Sequence, residues 1–177
     1  TDLARDGLFW KSLANTLVYA ALALPQALIL SLGLAVLLNT RGRLRPLYRT
    51  IFFLPTLVPA VALSALWLWI YNGDAGLLNR ALTPILPLVG TRPPSWLQDA
   101  AWVKPALAWM SVWACGHATV VFLAGLQDIP QEMLEAATLD GATSWQRLVH
   151  VVLPMLSPVI YFNLVVGLIG ALQVFTQ

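Results

Sequence analysis

Charge is what this sequence has least of. Asp, Glu, Lys and Arg make up 10% of its 177 residues while hydrophobic residues make up 59%, against roughly 25% charged in ordinary soluble domains. That balance excludes a soluble globule. One cysteine, Cys115, excludes an internal disulfide, and its place in an uncharged run says little about redox compartment. The two histidines, His117 and His150, stand apart without metal-ligand spacing, and there is no Gly-x-Ser-x-Gly, zinc-protease pair or phosphate-cradling glycine loop. The reading is therefore of a chain without catalysis, metal or cofactor of its own. The net charge is only +2. Its few basic residues flank apolar runs, which fits a membrane protein better than a nucleic-acid binder.

All 18 charged residues fall within residues 1–11, 41–49, 74–104 and 128–150, and the other 103 residues carry none. The uncharged runs are 12–40, 50–73, 105–127 and 151–177, of 29, 24, 23 and 27 residues. Each exceeds the ~20 residues that a helix rising about 1.5 Å per residue needs to cross a ~30 Å hydrocarbon layer. Leu, Ala and Val in long runs without alternation favour helices over barrel strands. The expected fold class is all-α, a polytopic membrane helix bundle of about four transmembrane helices, with spans near 13–39, 50–72, 105–127 and 154–177 in a single domain over 1–177. The first run is too long for a cleaved signal peptide and is expected to be retained. The chain opens on Thr1 and closes inside an apolar run at Gln177, which reads as a piece truncated at both ends.

Arg41, Arg43, Arg45 and Arg49 lie in one short connection without an acid, a density that places it on the cytoplasmic side and, by parity, residues 128–150 with it. Summed over the chain, five basic residues fall on either side, so local density sets the orientation. Residues 72–104, with Gly73, Gly76, Pro84, Pro87, Gly90, Pro93 and Pro94, read as an outward loop with short helical pieces. Trp67, Trp69, Tyr71, Trp96 and Trp102 suit interfacial anchoring. Pro25, Pro55, Pro59, Pro154 and Pro158 are expected to interrupt or bend the spans. No Asp, Glu, Lys or Arg lies within a span, which disfavours proton or ion coupling and directs attention to the cytoplasmic loop as the entry point for energy.

That loop, 128–153, reads as two helices around a bend. Pro130 suits a first-turn position, Glu132 and Glu135 favour the positive helix end, and Met133, Leu134, Ala136, Ala137 and Leu139 supply helix-forming and apolar positions. Gly141 permits a left-handed or tightly packed turn. A second amphipathic helix is predicted over 143–150, with Trp145, Leu148 and Val149 on its apolar side and Gln146, Arg147 and His150 on the polar one.

Here the sequence resembles a known family. Glu135-Ala136-Ala137, Gly141 six residues after the Glu, Val151 ten further on, and Leu153-Pro154 reproduce the cytoplasmic EAA loop of permease subunits in binding-protein-dependent ATP-binding cassette (ABC) importers. Asp140-Gly141-Ala142 followed by Trp145-Gln146 is similar to the carbohydrate branch, as are Asn15-Thr16, Phe52-Phe53-Leu54-Pro55 and Leu172-Gln173-Val174-Phe175. Two positions depart from the pattern: Val151 stands where the family usually has Ile, and Leu134 where Tyr is frequent. The first and last of the family's usual six helices are missing from the resemblance.

The resemblance implies a multi-pass permease of the cell (inner or plasma) membrane, forming a path for a sugar or related polyol or glycoside. ATP hydrolysis would belong to a separate subunit. Its partners would be a cytoplasmic ATP-binding subunit dimer, a second and non-identical permease, an extracytoplasmic solute-binding protein and the lipid membrane; no nucleic acid is implied. Carried over, Glu135 would be the polar contact to the ATPase, Ala136 and Ala137 small surfaces for close approach, Gly141 the shaping turn and Asp140 a secondary contact. Leu153 and Pro154 would join this lever to the next span. Trp109, Trp113 and His117 recur every four residues and so share a helical face, suited to packing or to stacking on a sugar ring. Gln26, Asn163 and Gln173 are membrane-depth polar groups that need a neighbouring helix or a water-lined path, and Asn163, Gly167 and Gly170 suggest a small-residue helix contact. Two rival functions are a membrane structural or assembly subunit gripping a non-ATPase partner, and an ATP-independent secondary transporter.

Overall fold

The computed structural model describes residues 5–39, 45–84 and 94–173, and among them there are helices and turns but no strand. Arg41, Arg43, Pro87, Gly90, Pro93, Val174 and Phe175, all invoked above, lie outside the described residues. Helix α1 (Gly7–Leu38) has 32 residues, about 48 Å of rise. Among the described residues it alone is long and apolar enough to cross a membrane unbroken. Asp6 starts it by accepting the Leu8 N–H at 2.8 Å on its carboxylate, which satisfies one of the donors a helix start leaves free. Pro25 sits inside α1 without ending it, contrary to the expected interruption. A proline deletes one ladder bond, and a helix this long retains the turns on either side.

The other three uncharged runs are each broken. The second holds α2 (Arg45–Phe53), a 3₁₀ turn at Leu54–Leu57 and α3 (Ala60–Ile70). Pro55 lies in the 3₁₀ turn, and Pro59 stands before α3 at φ −56 and ψ 138, the extended geometry that a proline without an N–H tolerates. The run expected as a span over 50–72 is thus built from two helices and the turn between them. After α4 (Leu77–Leu82), the third run holds α5 (Val103–Ser111), a 3₁₀ turn at Val112–Ala114 and α6 (Gly116–Gln127). Then come α7 (Gln131–Leu139), α8 (Ser144–Arg147), a π-helical turn at Leu148–Val152, α9 (Leu153–Met155) and α10 (Ser157–Leu172). Counting each broken pair as one span gives up to four, the last being Ser144–Met155 with Ser157–Leu172, bent by 65°.

The chain divides into two compact units. One comprises residues 1–23 and 57–113. Its centre is Trp67, Tyr71 and Ala106, with Leu63, Leu78, Trp96, Leu97 and Met110 packed around them. The Tyr71 hydroxyl donates to the Ala106 carbonyl at 2.9 Å inside this core. Asn79, 4% exposed, binds three groups at once: its amide donates to the carbonyls of Gly73 (2.8 Å) and Pro94 (3.2 Å), and its oxygen accepts the Trp96 indole N–H at 2.7 Å. The second unit comprises residues 24–56 and 114–177. Ala35, Leu38, Phe122, Leu123, Leu126, Ile129 and Leu156 form its core.

Glycines set the closeness of packing in this second unit. A Cβ on Gly125 would lie 2.8 Å from a Val159 methyl, and one on Gly116 would lie 2.7 Å from the Phe52 carbonyl oxygen. Gly167 is also tight, 2.7 Å from a Leu24 methyl, whereas Gly170 faces open space, so the expected small-residue contact holds at Gly167 and not at Gly170. Where α6 begins, the Cys115 carbonyl accepts from the hydroxyls of Ser31 (3.3 Å) and Thr119 (2.9 Å). Hydroxyls of this kind let a broken helix survive in hydrocarbon. Outside these contacts the helices present Ile29, Leu37 and Val61, at 69%, 68% and 85% exposure, an apolar surface suited to lipid.

Candidate functional site

The 128–153 segment forms a helix, a glycine turn and a second helix. Pro130 is the residue just before α7 rather than its first turn, so Gln131 begins the helix one step later than the composition implied. The α7 C-terminus is closed by backbone. Gly141, at φ +80, has the one positive φ among the described residues; its N–H donates to the Thr138 carbonyl (3.1 Å) and the Ala142 N–H to the Ala137 carbonyl (3.0 Å). These are the two bonds of a Schellman end, which requires a left-handed residue at the position glycine occupies. No other atom lies within 4 Å of where a Gly141 Cβ would be, so backbone conformation rather than crowding selects glycine.

The second helix starts at a reciprocal cap. The Gln146 N–H donates to Thr143 Oγ1 at 3.3 Å, and the Thr143 N–H to Gln146 Oε1 at 2.8 Å, so two orphan donors are satisfied by one residue pair. Arg147 then crosses back over the turn: Nη1 donates to Thr138 Oγ1 at 2.7 Å and Nη2 to Ser144 Oγ at 3.2 Å. The helix runs past the predicted end at His150 to Met155, widening into the π turn at Leu148–Val152. This widening comes just ahead of Pro154, whose ring would crowd the His150 carbonyl in a regular α-helix.

Exposure divides the site. Glu135, Ala136 and Asp140 are exposed and Ala137 is half-buried, while Leu134 packs against the core of its unit, as Val152 does from the second helix. Leu139, at 88% exposure, and Trp145, at 70%, are bare apolar side chains. Trp145 and Leu148, placed on the apolar side of the second helix by the sequence, line with Leu134 and Leu126 a cavity of about 400 Å³. A helix anchored by Leu134, with a carboxylate, an alanine and a leucine turned outward, has the makings of a protein contact. Leu153 and Pro154 form α9, next to the bend into α10.

The other candidates are scattered. Trp109 lies in α5, Trp113 in the 3₁₀ turn and His117 in α6, so the single helical face predicted for them is corrected: a 3₁₀ turn has 3.0 residues per turn, which shifts the phase that spacing by four assumes. Trp113 meets Trp67 edge to face at 5.9 Å, and Trp109 lines a cavity of about 280 Å³ with Tyr71, Trp96 and Trp102. His117 is exposed. Asn163 is buried, its amide donating to the Val159 carbonyl at 2.9 Å, and Gln173 caps the end of α10. Sequence reasoning missed the Thr138–Arg147 bond and the Thr143–Gln146 cap. The cap has a legible signal, a Thr followed three residues later by Gln; the bond has none.

Comparison with known proteins matches residues 11–176 to the family described as binding-protein-dependent transport system inner membrane component. The probable ABC transporter permease protein YesP of Bacillus subtilis is 38% identical over 97% of this chain and 54% of its own length. The lactose transport system permease protein LacF of Rhizobium radiobacter is 36% identical over 99% of this chain and 58% of its own. The trehalose/maltose transport system permease protein MalF of Thermococcus litoralis is 35% identical over 94% and 56%. A chain in the crystal structure of a bacterial alginate ABC transporter, in complex with alginate pentasaccharide-bound periplasmic protein, superposes with a TM-score of 0.82 at 27% identity, over 97% of this chain and 59% of that one. The present chain thus spans a little over half the length of these relatives. It belongs to the family of inner membrane components of binding-protein-dependent transport systems.

Proposed function

We propose that this chain is part of a permease subunit in an ATP-driven ABC importer, a single transmembrane domain over 1–177 that forms part of the path for a sugar, polyol or glycoside. The sugar-transport names of the relatives support the substrate class. In this reading, the segment 128–153 is cytoplasmic and couples to a separate ATP-binding subunit dimer. Glu135 makes the polar contact with Asp140 as a secondary one, Ala136 and Ala137 allow close approach, Gly141 shapes the docking end, and Leu153 and Pro154 pass the motion to α10. A second, non-identical permease and an extracytoplasmic solute-binding protein complete the assembly in the inner membrane. The observation that carries the reading is the exposed Glu135-Ala136 surface and bare Leu139 beside a glycine-closed helix end. Trp109, Trp113, His117, Asn163 and Gln173 are assigned to the substrate path, with the exposed Trp109 and His117 as its first residues to test.

The reading is tested by placing Glu135. A Glu135→Cys variant in intact cells should resist a membrane-impermeant thiol reagent and react after the inner face is opened, and the subunit should co-purify with a nucleotide-binding protein. Labelling from outside intact cells removes the import machinery from consideration.

A further inference from the structure

We infer that Arg147 is a positioning residue that locks α7 to the following helix through Thr138, so that an ATPase subunit gripping α7 moves both as one lever; the inference rests on the coupling role proposed above. Only residues 140–143 separate the two helices, and Gly141 at the bend has no neighbouring atom within 4 Å of its would-be Cβ. The two backbone bonds close the α7 end, but with open space at its apex the turn leaves the angle between the two helices to be braced by side chains. On the α7 side, Met133 (50%) and Leu139 (88%) are exposed, and Leu134 is the side chain that enters the core.

Arg147 supplies the brace. Its fork ends on Thr138 Oγ1 at 2.7 Å and Ser144 Oγ at 3.2 Å, hydroxyls on opposite sides of the bend. The Thr138 hydroxyl in turn donates to the Leu134 carbonyl at 2.7 Å. The chain of bonds therefore runs from the guanidinium into the α7 backbone at the residue that anchors α7 to the core. A hydrogen bond to a charged donor is stronger and more directional than a neutral one, and a planar guanidinium can hold two separated hydroxyls where an ammonium presents a single point. Force applied at Glu135 would otherwise be lost in bending at Gly141.

The test uses the full-length permease assembled with its partner subunits in proteoliposomes, and reads sugar moved per ATP hydrolysed together with the yield of assembled complex. Thr138→Val removes the hydroxyl and keeps the shape and a similar helix propensity; Thr138→Ser restores the hydroxyl. The ratio is expected to fall about three- to tenfold in Thr138→Val and to stay within about twofold of wild type in Thr138→Ser, with yield unchanged in both. Arg147→Lys, which keeps the charge and loses the fork, should behave like Thr138→Val and serves in its place if that complex assembles poorly. A wild-type ratio in Thr138→Val or Arg147→Lys overturns the lock while leaving the coupling role standing. Absence of ATP-driven uptake in the wild-type assembly overturns the coupling role itself, and the lock with it.

Discussion

The consequence easiest to quantify lies at Gly141. Its φ of +80 places it in the left-handed region, where a side chain brings Cβ against the following carbonyl at a cost of roughly 1–2 kcal/mol. Because no atom lies within 4 Å of the would-be Cβ, crowding adds nothing, and Gly141→Ala should cost that conformational penalty alone. At 1.4 kcal/mol per decade, the formed turn is disfavoured by about 5- to 30-fold against other backbone conformations. Those alternatives forfeit the two closing bonds at 3.1 and 3.0 Å, so α7 frays or swings, and the exposed Glu135 surface loses its orientation. Asn tolerates the left-handed region and a β-branched Val does not. Binding-protein-stimulated ATP hydrolysis and recovery of the ATPase subunit should therefore fall in the order Gly, Asn, Ala, Val at position 141, with Asn close to wild type. Membrane abundance of the permease should stay constant, since the turn lies outside the packed core. If Asn were as damaging as Val, side-chain bulk at the partner surface would be responsible and the backbone argument would be wrong. A wild-type Val variant would remove the turn from function altogether.

Further substitutions test the packing, the cap and the buried hydrogen bonds. Gly116→Ala drives a methyl to 2.7 Å from a backbone oxygen of Phe52 and should cost about 1–3 kcal/mol, whereas Gly170→Ala, in open space, should be neutral or stabilising by up to about 1 kcal/mol; thermal unfolding in detergent measures both, and equal effects would refute the packing. Thr143→Ala removes the hydroxyl half of the cap and should weaken the second helix by about 1 kcal/mol, read as faster amide exchange over residues 144–147, while Thr143→Ser preserves protection. Tyr71→Phe leaves the Ala106 carbonyl without its buried donor at 2.9 Å and should cost about 1–3 kcal/mol; Asn79→Ala, which severs bonds to Gly73, Pro94 and Trp96, should cost more, and a smaller loss would show that water replaces the amide.

Composition reached the fold class because a bilayer constrains sequence so strongly: an uncharged run has few alternatives to a helix. What composition cannot report is continuity within a run. Pro25 leaves α1 whole while Pro55 and Pro59 accompany a break, since a proline's effect depends on whether neighbouring turns have better partners elsewhere. The break at Val112–Ala114 contains no proline. It is accommodated by Ser31, far along the chain, whose hydroxyl reaches the Cys115 carbonyl, and no window of local sequence contains that information. This is why the equal spacing of Trp109, Trp113 and His117 misled.

Over residues 128–153 the division falls differently. Gly141 was legible because a left-handed helix end has a single-residue signature, and Thr143 with Gln146 was readable for a similar reason, each being a local rule with a fixed offset. The Arg147–Thr138 bond spans nine residues, an offset that no regular element produces. It exists only because the turn at Gly141 folds the second helix back until a guanidinium meets a hydroxyl at 2.7 Å. Local rules thus write the two helix ends, and the contact between them is a consequence of both being obeyed together. Substitution at Gly141 should then break the Thr138–Arg147 bond as well, so Gly141→Ala combined with Thr138→Val should reduce sugar moved per ATP little more than Gly141→Ala alone. Additive losses would mean that the turn and the brace act separately.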